Sequence, residues 1–247
     1  MRQPDNLRFA YSDPTKKKKN VLKIERLLCK EYGNPPKREQ ADPLDVLVQT
    51  ILSQNTNDRN SGRAFDSLRV RFDGWNAARV APVRQIEEAI RVGGLAKVKS
   101  KRIKRILSQV HKLHGWLSLR SLCTMESEDA YAALGKFQGV GPKTINCVLL
   151  FGCGMDVFPV DTHILRVSKR LGLIPENTGL VRAHKLWAEF LPPKLAYSLH
   201  LNLIEHGRQT CLARRPQCHR CCLKRLCKYY YALSSRQEDS SCKPVCH

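Results

Sequence analysis

The sequence predicts an all-α fold, and three observations carry that prediction. From about residue 21 onward, apolar residues recur three and four positions apart, the period of a helix with one buried face. Proline and glycine punctuate the runs at Asn34-Pro35-Pro36, Asp73-Gly74, Gly93-Gly94, Gly139–Gly141 and Pro192-Pro193, where helices stop or turn. Strand patterning is scarce. Leu199 to Leu203 alternates like a strand, but no partner strand accompanies it, and the segment is read as helix.

Taken in order, residues 1–20 are polar and end in Lys16-Lys17-Lys18-Lys19, which reads as a basic flexible arm. Leu44, Leu47, Val48, Ile51 and Leu52 form a first apolar face, and Ala64, Phe65, Leu68 and Phe72 a second. Ile103, Ile106, Leu107, Val110 and Leu113 form a third, with basic residues expected on the opposite, outward side. Ala130, Tyr131, Leu134 and Phe137 lead into the glycine turn. Ile164, Val167 and Leu171 follow a capping Asp161, and Leu186, Trp187, Phe190 and Leu191 make a further face. Residues 232–247, with Cys242, Cys246 and His247, match no pattern and read as a disordered tail.

A chain of 247 residues holds one or two domains, and 42% hydrophobic residues suffice for a core. No run approaches the roughly 20 apolar residues of a membrane helix. With 43 Lys and Arg against 22 Asp and Glu, the net charge is +21. That balance disfavours an ordinary enzyme of small metabolites and favours a polyanion such as nucleic acid. The basic residues are concentrated. Arg91, Lys97, Lys99, Lys101, Arg102, Lys104, Arg105, Lys112 and Arg120 fall between Glu88 and Glu126 with no acid among them, a salt-sensitive footprint for phosphates.

The opening Met-Arg-Gln-Pro-Asp-Asn has no apolar signal region, so secretion is not expected. Of the 11 cysteines, Cys29, Cys123, Cys147 and Cys153 read as scattered buried thiols. The odd count and the crowding near the C-terminus point to a metal site in a reducing intracellular compartment, a bacterial or archaeal cytoplasm or else a nucleus.

Three constellations carry chemistry. In Gly139-Val140-Gly141-Pro142-Lys143-Thr144 two glycines permit a tight turn and close approach, and the amides that open the next helix suit a phosphate. This reads as a helix–hairpin–helix. Lys143 sits in a first helical turn, where the dipole disfavours a cation. A lysine with some neutral amine suits Schiff-base formation, although a phosphate contact would use the same residue. In Val160-Asp161-Thr162-His163-Ile164, Asp161 is either a helix cap or a carboxylate paired with that nucleophile, 18 residues downstream of it. In Cys211-x6-Cys218-x2-Cys221-x5-Cys227, four thiolates can close on one centre. Structural zinc prefers two short Cys-x2–4-Cys pairs, whereas an all-thiolate set also suits an iron–sulfur cluster. Cys222 reads as a bystander and His219 as a weak substitute ligand. Arg214, Arg215, Arg220, Lys224 and Arg225, with no acid between them, would present cations to DNA.

Together these motifs resemble the endonuclease III family of DNA glycosylases and abasic-site lyases, within the helix–hairpin–helix superfamily. The family motif Leu-Pro-Gly-Val-Gly-Arg-Lys-Thr-Ala is matched by Phe137-Gln138-Gly139-Val140-Gly141-Pro142-Lys143-Thr144-Ile145, and Val-Asp-Thr-His-Ile by residues 160–164 without a gap. The four-cysteine spacing, preceded by His206-Gly207-Arg208-Gln209-Thr210, is similar to the family's [4Fe–4S] loop. The likeness spans about residues 21–231.

The resemblance implies two helical lobes with a DNA-binding cleft between them: a six-helix barrel over 36–155, and a cluster lobe from 21–35 plus 156–231. It implies Lys143 as the lyase nucleophile, Asp161 as the catalytic carboxylate, and Cys211, Cys218, Cys221 and Cys227 as ligands of a [4Fe–4S] cluster. Gly139 and Gly141 would meet phosphates. Ile51 to Asp58 resembles the segment whose glutamine fills the gap left by a flipped base. Ungapped, Asn55 takes that place, with Gln54 one residue earlier. Gly94-Leu95 resembles the wedge, which makes Leu95 the residue inserted opposite the lesion. The implied function is base excision repair on double-stranded DNA by a monomer that removes oxidised pyrimidines through a lysine Schiff base and cleaves by β-elimination. A monofunctional mismatch glycosylase for adenine, thymine or uracil is the rival enzyme, disfavoured by Lys143. A non-catalytic iron–sulfur DNA-binding module is the rival of another class.

Overall fold

The structure is a computed structural model that describes residues 13–36 and 39–241, with side chains through residue 234. Among these residues all regular structure is helical. In chain order the helices are α1 (Pro14–Tyr32), α2 (Pro43–Ser53), α3 (Asp58–Arg71), α4 (Gly74–Val80), α5 (Val83–Ala89), α6 (Ala96–His114), α7 (Ser127–Gly135), α8 (Pro142–Cys147), α9 (Thr162–Leu171), α10 (Leu180–Phe190), α11 (Ala196–Gln209) and α12 (Lys228–Ser241). Short 3-10 and π turns join them. The chain divides into two units, one of residues 38–159 and the other of the two flanking stretches, 1–37 and 160–247.

The 38–159 unit is built around α2. Leu44, Val46, Leu47, Val48, Ile51 and Leu52 are all buried, as expected of a helix that is apolar all round. Phe65 and Leu68 of α3, Ile86 of α5, Ile103, Ile106, Leu107 and Val110 of α6, Leu134 of α7 and Ile145 of α8 complete the same cluster. The start of α2 is fixed twice over. Asp42 accepts from the Leu44 amide at 2.9 Å, and Pro43 occupies the first turn, where its missing N–H costs nothing. Arg120 then donates to the other Asp42 oxygen at 3.1 Å.

The flanking unit packs α1 along α11 and α11 along α9. Val21, Ile24 and Leu28 meet a core of Ile164, Val167, Leu171, Ala183, Trp187, Phe190, Leu199 and Leu203. The buried Trp187 indole donates to Ser168 Oγ at 3.1 Å, which satisfies the polar edge of a ring otherwise used for packing. The alternating segment Leu199–Leu203 is helical, inside α11.

Four expectations are corrected. The lysine run 16–19 belongs to α1 rather than to a flexible arm, because Asp13 accepts from the Thr15 amide at 2.8 Å and Pro14 opens the helix. Lys17 even turns inward, its ammonium 5.2 Å above the Phe190 ring. Residues 1–12 of that arm lie outside the described residues. Residues 232–241 continue α12 rather than forming a disordered tail. The helix starts directly after Cys227, and Tyr229 in its first turn lies under the Arg170 guanidinium at 4.8 Å. Once nucleated, each added residue costs only its own ordering. Residues 242–247, with Cys242, Cys246 and His247, fall outside the described residues.

Leu113, expected on the inward face of α6, is exposed near the end of that helix. Cys123 and Cys153 are a disulfide rather than isolated thiols, with Cα atoms 4.7 Å apart. The 3-10 turn Arg120–Thr124 packs against the π turn Val148–Gly152 and brings the two together. Cys29 and Cys147 stand outside any disulfide.

Candidate nucleic-acid interface and metal centre

The hairpin joins α7 to α8. Phe137 and Val140 are buried beneath the turn, and the Val140 amide donates to the Phe137 carbonyl at 3.1 Å. Gly139 has φ +87°, and a Cβ there would stand 2.9 Å from Arg102 Nε. This position therefore needs glycine both for its left-handed backbone and for space. Gly141 caps α8, its carbonyl accepting from the Ile145 amide at 3.0 Å. Thr144 to Cys147 are buried, whereas Lys143 is partly exposed on the first turn. The core thus takes the later part of α8 and leaves Lys143 at the surface beside the glycine turn. The helix runs on into a π turn over Val148–Gly152, a form common at functional sites.

Helix α6 ties this hairpin to the end of α2. Arg102 Nη1 donates to Gln54 Oε1 at 2.5 Å, and Arg105 Nη1 donates to Gln138 Oε1 at 2.6 Å. Gln54 is therefore held, while Asn55 is exposed with φ +53°. Leu95 is 57% exposed and also left-handed, with φ +50°. The expectation of an outward basic face on α6 needs correction. Lys97, Lys101, Arg105 and Lys112 are exposed, but Lys99 is buried and Lys104 turns to the Val80 and Ala81 carbonyls. Lys99 precedes Ile103 by four residues and Ile106 by seven, which puts it on the inward face.

In the flanking unit Asp161 caps α9. Its Oδ1 accepts from the Ile164 amide at 2.8 Å, and its carbonyl accepts from Leu165 at 2.9 Å. The preceding residue is held by a group that sequence reasoning missed: the Val160 amide donates to His184 Nε2 at 3.0 Å. With Nε2 accepting, the ring proton is on Nδ1, which donates to the Leu180 carbonyl at 2.8 Å. No motif marks His184; only the return of α10 brings it there.

Farther along α9, Arg166 Nε donates to the Cys211 carbonyl at 3.0 Å and Nη2 to the Gly207 carbonyl at 2.7 Å. Arg170 Nη1 donates to the Leu212 carbonyl at 2.7 Å and to Cys211 Sγ at 3.3 Å. Helices α9 and α11 approach closely at Gly207, where a Cβ would lie 2.9 Å from that of His163.

Cys211, Cys218, Cys221 and Cys227 line one hollow, together with Arg170, His206 and Tyr229. Burial pushes the Cys221 thiol up to about 12 and Cys227 up to about 11, with neighbouring cysteines adding to the shift. Such thiols keep their protons unless a positive group compensates. His206, whose pKa burial lowers to about 4, is neutral. Its Nε2 lies 3.6 Å from Cys221 Sγ, and its Nδ1 pairs with the Tyr32 hydroxyl at 2.9 Å. Cys222 is raised to about 11 by burial, with the Glu31 charge adding. His219 is exposed, and its carbonyl accepts from Lys224 at 3.0 Å. Among the described residues no three His, Cys, Asp or Glu side chains are grouped to hold a metal ion. Arg214 and Arg215 are exposed, as are Arg220 and Arg225.

An all-helical chain with a glycine hairpin, a lysine just beyond it and a carboxylate heading a later helix is the architecture of the helix–hairpin–helix repair proteins. The model of the HhH-GPD superfamily of base excision DNA repair proteins matches residues 48–192. Endonuclease III of Sulfolobus acidocaldarius is 34% identical over 187 residues, covering 75% of this chain and 81% of that one. The chain belongs to this superfamily and, within it, to the endonuclease III family of DNA glycosylases. An Arabidopsis thaliana protein classed by its name with the DNA glycosylases is 39% identical over 170 residues, 69% of this chain; the match spans only 58% of that protein's length. The solved structure of a trapped Endonuclease III–DNA covalent intermediate is 25% identical with a TM-score of 0.73, covering 88% of this chain and 98% of that one. No helix among the described residues is long and apolar enough to cross a membrane.

Proposed function

We propose that this chain is a bifunctional DNA glycosylase and abasic-site lyase that acts as a monomer on double-stranded DNA and removes oxidised pyrimidines. The observation that carries the reading is Lys143, left at the surface on the first turn of α8 beside the Gly139–Gly141 turn while Thr144 to Cys147 after it are buried. A lysine needed only for packing or solubility has no reason to stand there, where the helix dipole opposes its charge.

A base inside a duplex must leave the stack before its glycosidic bond is reached. The hairpin amides at Gly139 and Gly141 and the exposed cations of α6 grip phosphates. Arg214 and Arg215 add to that grip. Leu95 enters the stack, and Gln54 and Asn55 occupy the gap. The Lys143 amine donates its lone pair to C1′, the C1′–N bond breaks, and the electron pair leaves with the base. The Asp161 carboxylate offsets positive charge developing on the sugar. Loss of the amine proton and opening of the sugar ring give a Schiff base. Removal of a C2′ proton then expels the 3′ phosphate by β-elimination. Capping α9 through Oδ1 and facing a cation are compatible duties for a carboxylate with two oxygens.

Cys211, Cys218, Cys221 and Cys227 are the proposed ligands of a [4Fe–4S] cluster. The four cysteines line one hollow but are not drawn together as a bound group would hold them, and the Arg170 guanidinium at Cys211 Sγ would offset thiolate charge. When bound, the group would hold the 211–227 loop in place. Incubation with abasic-site DNA and borohydride tests the function: a lyase leaves a covalent protein–DNA adduct, whereas a monofunctional glycosylase or a pure binder leaves none. A panel of duplexes, each carrying a single defined lesion, tests the substrate class.

A further inference from the structure

Lys99 is the buried basic residue of α6, which phosphate binding does not absorb. It is 2% exposed. Its ammonium donates to the Leu52 carbonyl at 2.7 Å, to Thr56 Oγ1 at 2.7 Å and to the Gly93 carbonyl at 2.8 Å. All three of its protons therefore have acceptors. The Thr56 hydroxyl, accepting from Lys99, donates in turn to the Gly93 carbonyl.

These acceptors lie along two different loops, Leu52 on the last turn of the helix that leads into the first. Leu52 and Thr56 frame the exit from α2 that carries Gln54 and Asn55, and Gly93 belongs to the turn that presents Leu95. Each loop contains a non-glycine residue at positive φ, Asn55 at +53° and Leu95 at +50°. A leucine there is strained, and such a conformation persists only where the surroundings fix it. Burial penalises the charged form of Lys99. An apolar side chain would fill the position without that penalty, but it could not join the loops.

We propose that Lys99 is a positioning residue that couples the two loops, with Thr56 as the bridge, so that Leu95 and the Gln54–Asn55 pair enter a duplex as one unit. The proposal rests on the glycosylase and lyase reading above. The coupling matters only where a partner strand must be parted from the lesion. An abasic site in single-stranded DNA has no opposite base to displace, so it reaches Lys143 without the wedge.

The test compares wild type with Lys99→Met, which keeps the length but not the donors, and Thr56→Val, which removes the bridge and leaves the core lysine in place. Borohydride trapping rates are measured on an abasic site in a duplex and in the single strand, alongside thermal unfolding. In parallel, 2-aminopurine opposite an uncleavable abasic analogue reports unstacking on binding. Duplex trapping should fall about tenfold or more in Lys99→Met, with single-strand trapping within about twofold of wild type and the fluorescence rise lost. Thr56→Val should move the same readouts in the same direction by a smaller factor. Equal losses on duplex and single strand, or no loss on either, would overturn the coupling. If Lys99→Met fails to fold, Thr56→Val decides. Wild type that traps neither substrate would sink the lyase reading instead, and the fluorescence experiment would still judge the loops.

Discussion

Arg102 donates to Gln54 at 2.5 Å while its Nε stands 2.9 Å from where a Cβ of Gly139 would be. One guanidinium thus sets the side chain at the end of α2 and fills the space that the hairpin glycine leaves open. Gly139→Ala should therefore be costly in two ways. The left-handed backbone costs about 1–2 kcal/mol in an alanine, and Arg102 must move, releasing Gln54. Thermal unfolding should show the first effect and a DNA-binding titration the second. An unchanged midpoint would show that the turn does not need its glycine.

Lys143→Gln keeps length and polarity but has no basic amine. Covalent trapping on abasic DNA should vanish, since bond formation needs the lone pair. Binding should persist within a few-fold, because the phosphate grip is shared by many groups. Cleavage at the normal rate by this variant would place the nucleophile elsewhere.

Asp161→Asn separates capping from catalysis. Asparagine caps about as well as aspartate, so stability should change by no more than about 1 kcal/mol. Turnover should fall by about a hundredfold or more, since the charge aimed at the developing cation is gone. A variant that mainly unfolds, with residual protein fully active, would assign Asp161 to the helix alone.

Protein purified without chelator should be brown with broad visible absorbance if a [4Fe–4S] cluster sits on Cys211, Cys218, Cys221 and Cys227. A colourless protein containing one zinc would refute that assignment. Serine at any of the four should lower the melting temperature and the iron content together. Cys222→Ser should change neither by more than experimental error.

DNA affinity should fall about tenfold or more between low and moderate salt, because several phosphates are neutralised and their counterions released. A flat response would make the +21 charge a matter of solubility.

The all-α fold and the glycine turn were legible because they depend on local rules. Apolar spacing marks a helix face, and Asp161 before an apolar run marks a cap. Spacing put Cys211, Cys218, Cys221 and Cys227 on one stretch, and they do line one hollow, without being grouped to hold a metal ion. Less local features were not. Lys99 and Lys101 look alike in the sequence, and only the phase of α6 sends one into the core and the other to the surface. His184 lies 24 residues beyond the amide it accepts from, and no pattern connects them. The Cys123–Cys153 pair requires two turns to meet. The lysines of α1 looked like a flexible arm because their count outweighed the signal of Asp13 and Pro14, a cap with proline at the first position.

Arg166 and Arg170 grip the loop that follows α11 through the carbonyls of Gly207, Cys211, Leu212 and Ala213. A carbonyl is the same on every residue, so this seating is blind to most side chains it touches. Leu212 and Ala213 can therefore diverge without shifting the helix that Asp161 heads, provided the backbone path is kept. Arg214 and Arg215, next in line, are equally free to change. The segment proposed to meet the nucleic acid can thus evolve new preferences while the proposed reaction machinery keeps its alignment, and the two properties can be selected separately.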